Sequence, residues 1–273
     1  GRLKKNILAL SVVQISNYVL PLLILPFLTR TLGLDGFALI SIVLAAIQLS
    51  FVITDYGLSV YAPYQISSMK SSTDKINRFV SNIYGLKVGL SFVALCIFTA
   101  IMWPQDIANW WGIFICSSLA ILFQAYQPIW LFHGLEKMNG VAITSLTTKL
   151  CYISLVFIFV SDSSDGLMVI ASWAVAQVLA SVVSNWLLLR EGYRISVPSY
   201  HEMMLISRIC REYFISRLAV SLFSSVNTVV LGAVGSSSQV ALYAICDQLY
   251  KAGKNATMPI SQALYPYMTH QKN

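Results

Sequence analysis

The fold class that this sequence predicts is all-α, a polytopic bundle of transmembrane helices. Three observations predict it. Hydrophobic residues make up 57% of the 273 residues and charged ones only 11%, where a soluble domain carries about a quarter. The apolar residues gather in runs near the roughly 20 residues that a hydrocarbon core requires. The basic residues fall in the short segments between runs, mostly in alternate ones.

Eight runs follow one another, at about 7–29, 36–62, 79–103, 107–132, 141–160, 166–189, 213–235 and 239–268. The first is too long for a cleavable signal and comparable runs follow it. It contains Pro21 and Pro26, each of which removes a backbone hydrogen bond and favours a bend. A glycine-bearing turn leads to the second run. The third and fourth meet at Trp103, Trp110 and Trp111, which read as an outer interfacial belt. The fifth and sixth flank Asp162 and Asp165. The seventh and eighth are joined by a second glycine-bearing turn, and Pro259 bends the eighth. Pro21, Pro26 and Pro259 are thus candidate hinges as well as packing features. Most connections are short, as between antiparallel neighbours. Segments 63–78 and 190–212 are longer and polar, and the second is the candidate boundary between two lobes.

Charge sets the orientation. With the N-terminus cytoplasmic, the inner segments hold Arg2, Lys4, Lys5, Lys70, Lys75, Arg78, Lys137, Arg190, Arg194, Arg208, Arg211 and Lys272, and the outer ones hold only Arg30. The positive-inside rule predicts this asymmetry. Hence the net charge of +7 reports topology rather than nucleic-acid binding. The five cysteines show neither CxxC nor metal-ligand spacing and read as small buried hydrophobes. No metal site or cofactor is expected.

Five cations remain inside the runs, namely Lys87, Lys149, Arg217, Lys251 and Lys254, against the acids Asp55 and Asp247. A charge at the centre of a lipid-embedded helix costs about 2.5–3.5 kcal/mol on insertion scales. Lys87, Lys149 and Arg217 stand within about three turns of their cytoplasmic ends, so they either snorkel to headgroups or line a cavity. Asp247, Lys251 and Lys254 share one helical face at i, i+4 and i+7, which pairs Asp247 with Lys251 and leaves Lys254 for a wet cavity. Surplus positive charge suits an anion such as a lipid phosphate or diphosphate. Amides along the runs, Asn17 and Asn255 among them, serve either as interhelical hydrogen bonds or as sugar contacts. Tyr126 and Tyr250 offer faces for sugars.

A faint repeat aligns Phe37-Ala38-Leu39 with Val240-Ala241-Leu242, and Ile42 with Ile245, as internal duplication in a two-lobed transporter would. The expected domains are a six-helix lobe over 1–197, then a linker and two helices of a second, incomplete lobe over 198–273. The start at Gly1 and the stop after the eighth run suggest a fragment.

Four stretches carry a resemblance over nearly the whole chain. They are Thr31-Leu32-Gly33-Leu34-Asp35-Gly36-Phe37, Asp55-Tyr56-Gly57-Leu58, the segment Pro128-Ile129-Trp130-Leu131-Phe132-His133-Gly134-Leu135-Glu136-Lys137-Met138, and Pro259-Ile260-Ser261-Gln262-Ala263-Leu264-Tyr265-Pro266. In these the chain resembles the O-antigen flippases, the polysaccharide-exporter branch of the multidrug/oligosaccharidyl-lipid/polysaccharide superfamily. The resemblance implies twelve helices in two six-helix lobes around a cationic cavity, of which about eight are present here. It implies translocation of undecaprenyl-diphosphate-linked oligosaccharide across a bacterial inner membrane, coupled to H+ or Na+, with a polysaccharide polymerase and a chain-length regulator as further partners. No phosphate-cradling Gly-rich motif with Lys-Ser/Thr is present. The alternatives are a cation-coupled multidrug exporter, for which acidic cavity residues are expected, and a membrane polymerase or glycosyltransferase, for which a sizeable outer loop with paired catalytic groups is expected.

Overall fold

The structure is a computed structural model. It describes the backbone of residues 2–70, 72–103, 109–221 and 226–270, with side chains at Ser16 and over 19–70, 72–103, 109–221 and 226–253. The helices are α1 (Arg2–Asp55), α2 (Leu58–Ser68), α3 (Thr73–Met102), α4 (Trp110–Ala125), α5 (Ile129–Gly134), α6 (Met138–Phe159), α7 (Gly166–Arg190), α8 (Tyr200–Ser221), α9 (Asn227–Val234) and α10 (Ser237–His270). Among the described residues there is no strand. The chain is an all-α, polytopic membrane protein.

Among the described residues, five stretches are long and apolar enough to cross a membrane: Val19–Ser68, Thr73–Met102, Trp110–Gly134, Met138–Phe159 and Gly166–Arg190. The first holds two of the expected runs. Helix α1 is interrupted at Gly33, whose φ of 68° and ψ of −176° lie in a region that essentially only glycine occupies. The chain folds back there, since Leu20–Leu28 before the break and Phe37–Gln48 after it line the same cavity. The prolines at 21 and 26 are accommodated within helix.

Two further runs are interrupted near one end. The second run breaks at Tyr56-Gly57, with Gly57 at φ 80°, and resumes as α2. The fourth breaks between Ala125 and Ile129 and resumes as α5. The expected long connection 63–78 is largely helical, in α2 and the start of α3. The expected connection 190–212 becomes a helix from Tyr200, and α8 continues into the seventh run. With Glu202, Arg208, Arg211, Glu212 and Arg217, α8 is too charged to cross lipid as a unit, yet Ile206 and Cys210, one turn apart, bury one face.

Two apolar cores mark opposite ends of the bundle. One joins both arms of α1 to the end of α3 (Ala94, Phe98, Met102), the start of α4 (Ile113), the end of α6 (Val156), the start of α7 (Val169, Ile170) and the start of α10 (Val240, Ala241). The other joins α2 to the start of α3 (Ile76 to Tyr84), α5 (Trp130, Leu131), the end of α7 (Leu188) and α8. Ends and starts thus alternate, as antiparallel neighbours require. The tryptophan cluster belongs to the first end. There Trp110 meets Trp103 edge-on at 5.9 Å and Trp111 edge-on at 5.3 Å, while Trp103 and Trp111 remain exposed. The second end is pinned by Lys70–Glu136 at 2.7 Å and by the ion pair Lys137–Glu191. The segments proposed as a repeat, starting at Phe37 and Val240, pack into the same core.

Candidate functional site

Near the first core lies a cavity of about 460 Å³. Its walls come from five helices, α1 contributing both of its arms. Ser41, Leu44, Ala45 and Gln48 of α1 stand at i, i+3, i+4 and i+7, as do Ala244, Asp247, Gln248 and Lys251 of α10. Lys149, Tyr152 and Ile153 of α6 follow the same spacing, and Trp173 of α7, Thr228 of α9 and the Leu20–Leu28 arm complete the wall.

Three predicted charged residues meet here. Lys251 Nζ lies 2.6 Å from Asp247 Oδ2, the i, i+4 contact anticipated by their spacing. Lys149 stands near the middle of α6, about 15 Å of helical rise from either end. That is farther than its stem reaches, so its ammonium comes to neither end of α6. Its ammonium is buried and has no hydrogen-bond partner among the described residues. Pro21 also lines the cavity, whereas Pro26 is exposed one turn on.

Other predicted residues sit elsewhere. Lys87 is buried between helices and donates to the Ala125 carbonyl. That carbonyl ends α4, where acceptors lack helical partners and the dipole is negative, so the ammonium caps the interrupted helix. Tyr126, next in the chain, forms the break itself. Its carbonyl accepts from Asn185 Nδ2 at 2.9 Å, and Tyr84 donates to Asn185 Oδ1 at 2.7 Å. Asp55 accepts from Ser59 Oγ at 2.9 Å and lies 3.6 Å from Arg217 Nη1, while Arg217 donates to Ser59. This partly exposed triad ties the Tyr56-Gly57 break to α8. Tyr250 is 66% exposed and is not in the cavity wall. The side chains of Lys254, Asn17, Asn255 and Pro259 lie outside the described residues.

Trp173 and Tyr152 were absent from the sequence-based site. Their rings meet edge-on at 5.0 Å beside the cavity, and Trp173 Nε1 is buried without a partner among the described residues. The i, i+3 relation of Lys149 to Tyr152 was the available signal. Trp173, on another helix, had none.

A family model described as "Polysaccharide biosynthesis protein" matches residues 3–271. The chain is 30% identical over 266 residues to a protein of Escherichia coli (strain K12), and 28% identical over 269 residues to one of Shigella dysenteriae, both named "Putative O-antigen transporter". These alignments cover 97% and 98% of this chain, which spans 64% and 67% of the respective relatives. No solved structure matches the chain.

Proposed function

Because this chain belongs to the polysaccharide biosynthesis protein family, we propose that it works as a flippase and not as an enzyme, carrying undecaprenyl-diphosphate-linked O-antigen oligosaccharide between leaflets of a bacterial inner membrane. One observation supports this most. A cavity walled in part by helices long and apolar enough to cross a membrane holds Lys149, Asp247 and Lys251, two cations and one anion, on helices from both expected lobes. Charged groups there are costly unless they face a polar passenger or water. The surplus cation favours an anionic headgroup over the cationic drugs expected of a multidrug exporter, and Gln48, Gln248 and Thr228 supply donors and acceptors for sugars. The lobes 1–197 and 198–273 rock about this site in alternating access, with H+ or Na+ as the coupling ion and Pro21 in the moving wall. Asp55 and Arg217 act outside the cavity, at the α1–α8 contact.

The test is genetic. Deleting the intact gene is expected to remove surface polysaccharide and to leave lipid-linked repeat units on the cytoplasmic leaflet. The wild-type gene restores display, and Lys149→Met and Asp247→Asn restore it poorly at normal protein levels. Undiminished display after deletion, in a strain without a second copy, would count against the reading.

A further inference from the structure

Two residues of the cavity wall carry buried hydrogen-bond donors that have no acceptor among the described residues: Lys149 Nζ and Trp173 Nε1. They belong to adjacent helices, α6 and α7, and the ring of Tyr152 stands between them in sequence and against Trp173 in space, edge-on at 5.0 Å. Most buried polar groups find partners. An unpaired ammonium is the costliest exception, because burial removes its water without returning a counter-charge. The cavity's carboxylate does not supply one, since Asp247 is engaged by Lys251 at 2.6 Å.

The chemistry of these donors narrows the ligand. An ammonium and an indole N–H donate and never accept. A neutral hydroxyl satisfies either one but leaves the charge, and a cation is repelled. An oxyanion satisfies both and neutralises Lys149 in a charge-assisted contact. Beside the two donors, Leu20, Ile24, Leu25 and Leu28 of α1 give an apolar wall suited to a hydrocarbon chain. We infer that Lys149 and Trp173 form a two-donor subsite for a phosphate or diphosphate oxyanion, with the α1 wall receiving the chain that carries it. This rests on the cavity being the substrate path. It adds a residue, Trp173, whose indole N–H selects for an acceptor beyond what charge alone achieves.

The experiment measures binding of three probes to the chain in nanodiscs of neutral lipid: farnesyl diphosphate, inorganic pyrophosphate and farnesol. Trp173→Phe keeps the ring and removes only the donor. Farnesyl diphosphate is expected to bind the wild type and to bind Trp173→Phe about tenfold more weakly, the scale of a lost hydrogen bond to a charged group. The loss in Lys149→Met is larger, and Lys149→Arg recovers much of it. Farnesol binding, unchanged throughout, reports that the cavity is folded. Pyrophosphate binding with the same sensitivity supports a site for which the free oxyanion suffices. Binding of farnesyl diphosphate alone supports one that requires the lipid. Equal affinity of wild type, Trp173→Phe and Lys149→Met for farnesyl diphosphate, with weakening in Asp247→Asn, overturns the subsite and leaves the flippase reading standing. Failure of the wild type to bind either diphosphate overturns both.

Discussion

Gly33 and Gly57 both hold positive φ, but for different reasons. A Cβ at Gly33 meets nothing within 4 Å, so its constraint is conformational alone. At Gly57 a Cβ would lie 2.7 Å from Tyr213 Cβ and 3.0 Å from the Cys210 carbonyl, so conformation and space both forbid it. Gly33→Ala is expected to cost about 1–3 kcal/mol of backbone strain. Gly57→Ala adds overpacking of about 1–3 kcal/mol and loosens α8 from the break. Thermal unfolding in detergent should rank wild type above Gly33→Ala above Gly57→Ala, and the reverse order of the two variants would contradict the packing argument. Asp165 provides a pH-dependent case. Its carboxylate accepts from the backbone N–H groups of Ser161 and Asp162, both at 2.9 Å, which hold it below the ordinary carboxylate range. A depressed folded value means that the contribution is present above the unfolded value, about 4, and is lost as pH falls through the folded one. The stability difference between wild type and Asp165→Ala should therefore be constant near neutrality and shrink below about pH 4. Residue by residue, sequence located charges but not their partners. Lys87 lies within reach of an inner helix end in one dimension, and only the fold shows that the break after Ala125 presents it with a carbonyl.

At the scale of elements, the segment before α8 is fastened to one face of α3. Asn77 Oδ1 accepts from Arg194 N at 2.9 Å, Ser81 Oγ from Ser196 N at 2.7 Å, and Asn82 Oδ1 from Ser199 N at 2.7 Å. Asn82 also donates to Glu202 in the first turn of α8. Positions 77 and 81 lie one helical turn apart, with Asn82 the residue next to Ser81, so this side of α3 serves as a rail for extended backbone that otherwise faces solvent. Each bond contributes about 1 kcal/mol. The double variant Asn77→Ala/Asn82→Ala is expected to leave the helices in place while exposing Arg194 and Arg208 to trypsin. Cleavage no faster than in wild type would mean that packing of Ile206 and Cys210 alone secures the segment. This element shows why part of the fold was hidden in the sequence. A search for unbroken apolar runs passes over 200–212 because of its charges, although Ile206 and Cys210 at i, i+4 already trace a buried stripe. The breaks at Tyr56-Gly57 and at 126–128 were hidden for a different reason: apolar residues resume directly after them, and hydropathy summed over a run does not register a change in backbone direction.

At the scale of the molecule, the alternation of helix ends between two cores and the distribution of charge describe one axis by independent routes. The cavity lies toward the core containing the ends of α3 and α6 and the exposed tryptophans, and the basic segments gather at the other end, around α2, α5 and α8. That polarity was legible, because loop charge and apolar run length are properties of sequence. The cavity's composition was legible only where spacing on a single helix sufficed, as for Asp247 and Lys251. Trp173 required knowledge of which helices are neighbours. If basic loops face the cytoplasm, the cavity sits in the outer half of the bilayer, with the turn Ser161–Asp165 outside and Gly192 inside. In a cysteine-free background, Ser163→Cys should then react with a membrane-impermeant maleimide in cells whose outer membrane alone is opened. Gly192→Cys should react only after the inner membrane is also permeabilised. The opposite labelling would invert the molecule, put the cavity on the cytoplasmic side, and change which leaflet first meets Lys149.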